Sequence, residues 1–161
     1  IKMDKAHTSI IDEAVNIMSD LNRGAAEAMN KVGVNACTDI TGYGLLGHLL
    51  EMCFSSNVSA VIKFNDCPLV EGVFELAQQG NVPGGTKRNL DYVLKNVDFA
   101  KEISPAQQLI LADAQTSGGL LIAVPENKAE VLQDSLIANN CLESAIIGKV
   151  YNVAESTIYI N

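Results

Sequence analysis

The chain has 161 residues, with 11 basic and 19 acidic side chains, a net charge of −8 and a pI near 4.6. Its length fits one domain with a sizeable core, and 48% apolar against 19% charged residues exclude intrinsic disorder. The acidic balance excludes a nucleic-acid partner, because phosphate binding needs a basic face; the excess is even, with five basic against ten acidic groups over residues 1–80 and six against nine over residues 81–161.

No apolar run approaches the ~18 residues of a membrane span, the longest being of the Leu120–Val124 kind, and no basic-then-apolar leader opens the chain. Neither a membrane nor export is expected. Cys37, Cys53, Cys67 and Cys141 contain no C-x-x-C and no C-x-x-H, so they read as reduced thiols, mostly small core hydrophobes, of a cytoplasmic protein. The first residue is Ile1 rather than Met, which points to an excised piece that has lost an upstream partner domain.

Residues 9–32 carry Ile10, Ile11, Ala14, Val15, Met18, Leu21, Ala25, Ala28 and Val32 at helical steps on one face, with Ser9 as N-cap, a division at Gly24 and an end at Gly33. A strand at Asn35–Ile40, a turn at Thr41–Gly44 and a helix from Leu45 to about Phe54 follow. Ser59–Phe64 is β-rich, and Leu69–Gln79 reads as a helix stopped by Gly80. Asn81–Asn89, with Pro83, Gly84 and Gly85, reads as a loop, and Asp91–Val97 as helical. Ser104 and Pro105 start a helix running to about Ala112. The strand Leu120–Val124 precedes an amphipathic helix from Pro125 to Asn139, with Val131, Leu132, Leu136 and Ile137 inward. Ala145–Val150 and Thr157–Ile160 close as strands joined by a polar turn, resembling an antiparallel ending. The expected fold class is α+β, a single layered domain over residues 1–161 with a mixed, largely antiparallel sheet flanked by helices.

Chemistry concentrates in Cys37-Thr38-Asp39-Ile40-Thr41-Gly42-Tyr43-Gly44-Leu45-Leu46-Gly47-His48. A carboxylate ends a strand, a flexible turn follows, and a helix begins. Such a turn presents N–H groups to an anion, and a carboxylate beside phosphate requires a divalent cation between them, a task magnesium performs. The plain alternative is a tight strand–helix packing in which Asp39 caps the helix. A third reading takes Gly42, Gly44 and Gly47 as the dinucleotide fingerprint G-x-G-x-x-G with Asp66 as the ribose-binding acid. Against it stand a polar strand end and the long helical segment ahead of it. A second hydroxyl- and glycine-rich turn, Asp113-Ala114-Gln115-Thr116-Ser117-Gly118-Gly119, lies between a helix and a strand. His48 reads as a structural hydrogen-bonding residue rather than a ligand or base, and His7 as a surface residue. Lys87 and Arg88 form the most basic local patch, a solvated loop or a phosphate contact.

Taken together, Thr38 to His48 and Asp113 to Leu121 resemble the two signature segments in the second half of the selenophosphate synthetases (selenide, water dikinases). Pro83-Gly84-Gly85-Thr86 with Arg88-Asn89 resembles a third, weaker one. Sister families of the same ATP-binding superfamily, such as aminoimidazole ribonucleotide synthetase and thiamine monophosphate kinase, have differently worded turns at the first segment. Tyr43 stands where the family commonly has Phe, a neutral change, and Ala114 where it commonly has Pro, which loosens the turn.

The resemblance implies the C-terminal domain of a two-domain enzyme that converts ATP, selenide and water to selenophosphate, AMP and phosphate with Mg²⁺. It implies Asp39 as a metal ligand, and Thr41, Gly42, Gly44, Thr116, Ser117 and Gly118 as the wall against the nucleotide. It also implies that the chain's own N-terminal domain brings the nucleotide loop, further aspartates and the catalytic Cys (or selenocysteine) and Lys. On this reading the isolated chain has no catalytic residues and is inactive, and the full-length protein is a homodimer. The alternatives are a sister enzyme with another substrate, or a non-catalytic dinucleotide-binding module.

Overall fold

A computed structural model describes residues 6–152 and 157–161. Seven α-helices and six strands are formed among them, besides short 3-10 turns: α1 (Thr8–Ser19), α2 (Arg23–Val32), β1 (Ala36–Asp39), α3 (Gly44–Ser56), β2 (Ser59–Ile62), α4 (Val73–Gln78), α5 (Gly84–Val93), β3 (Val97–Phe99), α6 (Pro105–Leu111), β4 (Leu120–Ala123), α7 (Ala129–Ala138), β5 (Gly148–Tyr151) and β6 (Ile158–Ile160). The fold is α+β with a mixed sheet, as the helix–strand alternation predicts.

The strands fall into two sheets. β1 and β4 form an antiparallel pair, and β3-β6-β2-β5 form a four-stranded sheet in that order. Within the larger sheet β5 runs antiparallel to β2, while β6 runs parallel to both β2 and β3. Period-2 alternation sorts its faces. Ala60, Ile62, Ile158, Ile160 and Val97 are buried, whereas Tyr159 and Asp98, paired across the ladder, are exposed.

Against the buried face lies α3, contributing Leu46, Leu49, Leu50 and Cys53; Val93 of α5 and Leu111 of α6 add to this core. Each such fully buried aliphatic side chain stabilises the fold by about 1.5–3 kcal/mol. The consequence for function is positional. α3 is seated on the sheet by its apolar residues, so its N-terminus, and the turn that leads into it, are fixed against the core.

Several expectations are corrected. The first helical run breaks at residues 20–22, not at Gly24, and its N-cap is His7, not Ser9. Gly24 lies inside α2 because that helix crosses α7 closely: a Cβ there would stand 2.6 Å from the Asn139 carbonyl oxygen. The apolar face of α1 is incompletely covered, with no residue buried and Val15 exposed, and Leu21 in the break after it is exposed too. The helix expected from Leu69 starts only after Gly72.

The expected loop at Asn81–Asn89 is wrong from Gly84 onward. Pro83 is the N-cap of α5, and burial of Thr86 and Val93 offsets the poor helix propensity of two glycines. Asp91–Val97 is helical as far as Asn96, the end of α5 being followed by a 3-10 turn at Leu94–Asn96, and Val97 then opens a strand that propensity did not reveal. In α7 only Leu132 is buried, and Val131 and Ile137 are 57% and 66% exposed, because α2, the main element packed on it, covers only part of its surface. The closing strands do not pair with each other. Both flank β2, β5 antiparallel on one edge and β6 parallel on the other, so β2 separates them. The polar turn placed between them falls largely on residues 153–156, outside the described residues.

The cap of α6 follows the sequence closely. The Ser104 hydroxyl accepts the Gln107 N–H at 3.4 Å and the Gln107 side chain accepts the Ser104 N–H at 2.7 Å, a reciprocal capping box with Pro105 behind it.

Candidate functional site

The three signature segments, far apart in sequence, are hydrogen-bonded into one corner. Asp39 pairs with Leu120 at the end of the β1–β4 ladder, and the ladder continues beyond both strands: Ile40 N–H donates to the Gly119 carbonyl at 3.0 Å and Gly118 N–H to the Ile40 carbonyl at 3.0 Å. The Thr41 carbonyl accepts two amides, Gly44 and Gln115, each at 3.0 Å. The first and second turns are thus a single backbone unit.

Two glycines make this approach possible. Gly44 has φ +68°, and a Cβ on it would stand 2.6 Å from Ala112 and 2.8 Å from the Asp113 carbonyl. Gly118 meets Ile40 in the same way, at 2.6 Å from its carbonyl oxygen. Gly42 and Gly119 have open space instead.

α5 closes the third side. Asn89 donates through Nδ2 to the Gly42 carbonyl at 2.8 Å and the Ala112 carbonyl at 3.1 Å. The Thr86 hydroxyl, 1% exposed, donates to Asp113 Oδ1 at 2.5 Å and accepts the Ala114 N–H at 3.3 Å. Burial raises the Asp113 carboxyl pKa above its ordinary value, against hydrogen bonds from Thr86, Gln115 and the Ala114 backbone that act to lower it. Asn22 adds a tie from α2, donating to the Gly118 carbonyl at 2.9 Å.

His48 pins the turn from inside α3. It is 8% exposed, and its Nε2 accepts the Thr41 N–H at 3.1 Å with the Thr41 hydroxyl 3.2 Å away. That geometry assigns the proton to Nδ1, which faces Glu51 at 3.9 Å. Tyr43 stands edge-on to the imidazole, with ring centroids 5.8 Å apart. The structural reading of His48 is the one the geometry supports.

The polar groups therefore divide. Backbone groups of Thr41, Gly44 and Gly118 are used within the corner, so these residues shape it. The Asp39 carboxylate is exposed and makes no hydrogen bond or ion pair among the described residues; the cap of α3 is Tyr43, with no side-chain bond. The hydroxyls of Thr116 and Ser117 likewise form no hydrogen bond among the described residues, with Thr116 exposed and Ser117 half-buried. Asp39 is electrically close to Cys37, whose thiol pKa is raised by burial and by that carboxylate. Burial raises the Cys53 and Cys141 thiols too, with Asp20 adding to the latter, and pushes Cys67 up to about 11, with Asp66 adding to it; all four cysteines are free. Lys87 and Arg88 lie exposed on α5, not in a loop.

No group of three or more His, Cys, Asp or Glu is gathered for a metal among the described residues. One free carboxylate suits magnesium, which binds through one or two carboxylates together with substrate phosphates, but it does not make a full cage. The dinucleotide reading fails on topology. A fingerprint turn joins parallel strands of one sheet, whereas β1 and β2, on either side of α3, lie in different sheets and β1 pairs antiparallel with β4.

Thr86, Asn89 and Asn22 were not assigned roles from sequence. Asn22 and its partner are 96 residues apart, so no local pattern marks it. Thr86 and Asn89 sit in the third segment, where only that weak match singled them out.

The chain belongs to a class of α+β domains recognised by its sequence. Residues 12–161 match the family of AIR synthase related proteins, C-terminal domain. Within that class it is similar to the selenide, water dikinase of Clostridioides difficile, with 46% identity over 151 residues, and to that of Caldanaerobacter subterraneus subsp. tengcongensis, with 48% over 147. It is also 38% identical over its whole length to the selenide, water dikinase of Aliarcobacter butzleri. These alignments take in 94%, 91% and 100% of this chain but only 43%, 42% and 46% of those relatives. The chain spans less than half the length of the curated relatives it matches. Among the described residues, no helix is long and apolar enough to cross a membrane.

Proposed function

We propose that this chain is the C-terminal domain of a selenide, water dikinase, a cytoplasmic homodimer that forms selenophosphate, AMP and phosphate from ATP, selenide and water. The observation that carries this reading is the convergence of all three signature segments on one corner, with the unengaged Asp39 carboxylate at its rim. Its similarity to relatives of that name supports the substrate choice.

In this account Asp39 contributes one oxygen donor to a Mg²⁺ site completed by aspartates of an N-terminal domain. The bound cation supplies Lewis-acid and template chemistry for phosphoryl transfer. The chain's own residues position and enclose. Thr116 and Ser117 offer hydroxyl donors to the phosphate side, while Thr41, Gly42, Gly44 and Gly118 form a wall in which the Thr41, Gly42 and Gly118 carbonyls and the Thr41, Gly44 and Gly118 amides are bound internally, so the wall keeps its shape when charge moves in front of it. Nucleophilic groups reside in the N-terminal domain, and the isolated chain is silent.

The test is AMP formation by the full-length protein. With Mg-ATP and selenide, AMP and phosphate accumulate together, and omission of selenide reduces AMP release. Selenide-independent ATP turnover, or turnover with another acceptor, points instead to a sister enzyme of the superfamily.

A further inference from the structure

We propose that Asn89 is a positioning residue for this site, acting through the two glycine-rich turns rather than on any substrate. The inference rests on the proposed function and adds a residue to it. One amide nitrogen, with two hydrogens, is divided between the Gly42 carbonyl at 2.8 Å and the Ala112 carbonyl at 3.1 Å. Gly42 belongs to the turn between β1 and α3, which begins at Asp39; Ala112 is the C-cap of α6 and the residue from which the Asp113–Gly119 turn departs. Beside the backbone bonds of Ile40, Thr41 and Gly118, a single planar side-chain group thus bridges the segment carrying the carboxylate and the segment carrying Thr116 and Ser117.

The remainder of α5 makes that group a fixed reference. Thr86, one helical turn earlier on the same face, is buried and bonded to both Asp113 and the Ala114 amide. Val93, one turn later, is fully buried in the core. Asn89 therefore projects from a helix held at both sides. Its chemistry is also specific: both partners are acceptors, so the position requires two donor hydrogens on one short side chain. Asp, the isostere, donates none and would set a carboxylate against two carbonyl oxygens. Ser or Thr can serve only one partner.

The experiment uses the full-length protein and compares wild type with N89A, N89D and N89T. Readouts are the KM for Mg-ATP, kcat, the thermal midpoint, and hydrogen exchange of the Gly44 and Gln115 amides, which both donate to the Thr41 carbonyl. Loss of the bridge raises KM for Mg-ATP by about tenfold in N89A, the scale of one to two neutral hydrogen bonds, and by more in N89D, with N89T between wild type and N89A. Exchange of the two amides accelerates in the same order. A residue that merely stabilised the fold would lower the midpoint and the active fraction, so kcat, with KM and the exchange order unchanged; that result overturns the proposal. Should N89A or N89D fail to fold, N89T decides by the same readings. A wild type without selenide-dependent ATP turnover defeats the proposed function instead, and the amide exchange rates then decide the role of Asn89 alone.

Discussion

Gly118 lies against Ile40 so closely that a Cβ on the glycine would stand 2.6 Å from the Ile40 carbonyl oxygen, the same oxygen that accepts the Gly118 N–H at 3.0 Å. Backbone cannot rotate out of the way as a side chain can. Gly118→Ala must therefore spread the β1–β4 extension, at a cost of about 1–3 kcal/mol. Its neighbour is the control, since nothing lies within 4 Å of a Cβ at Gly119. Gly119→Ala is expected to leave stability within about 0.5 kcal/mol. Urea unfolding of both variants checks the contrast, and equal losses would contradict the close approach.

His48 stabilises the turn as an acceptor, because its Nε2 takes the Thr41 N–H at 3.1 Å. His48→Phe keeps the bulk but leaves that amide without its partner. The expected loss is about 1–3 kcal/mol in denaturant unfolding. A variant as stable as wild type would mean that packing, not the hydrogen bond, accounts for the imidazole.

Asp113 carries a pH signature. Its pKa is raised above 3.8, chiefly by burial, so in the window above that value the folded state holds more protons than the unfolded state. The stability it contributes is full below about 3.8 and is lost as pH rises through the folded-state pKa. Asp113→Asn lacks this component. Its stability relative to wild type is therefore expected to grow as pH rises from about 4 toward neutrality, by paired melts across that range. A constant difference would show that burial does not perturb this carboxyl group.

Thr86→Val removes the hydroxyl that donates to Asp113 Oδ1 and accepts the Ala114 N–H. It preserves shape and strands two polar groups, so about 1–3 kcal/mol of stability is lost. Pairing it with Asp113→Asn distinguishes the two contributions: a double variant less destabilised than the sum identifies the direct contact.

Much of this architecture was legible in the chain. Ser104 and Pro105 announced α6, and the polar end of β1 followed by three spaced glycines announced the corner that carries Asp39. What escaped the sequence was set by tertiary contact. Gly84 and Gly85 look like a loop, yet Thr86 and Val93 bury and hold a helix there. Val97–Phe99 is too short to announce itself, and becomes a strand because β6 offers it an edge. Val131 and Ile137 satisfy an amphipathic pattern that the domain covers only in part. The same limit applied at the site. Asn22 and Asn89 act on carbonyls distant in sequence, and only the folded chain shows which ones.

If Asp39 holds a cation rather than shaping the fold, its exposed carboxylate, bonded to no other described residue, permits a clean substitution. The decisive measurement is Mg²⁺-dependent ATP turnover by full-length Asp39→Asn alongside its melting temperature. Turnover is expected to fall by roughly a thousandfold, the several kcal/mol a Lewis-acid cation supplies, with melting within about 2 °C of wild type. Turnover at the wild-type level with the same metal dependence would contradict that role for Asp39.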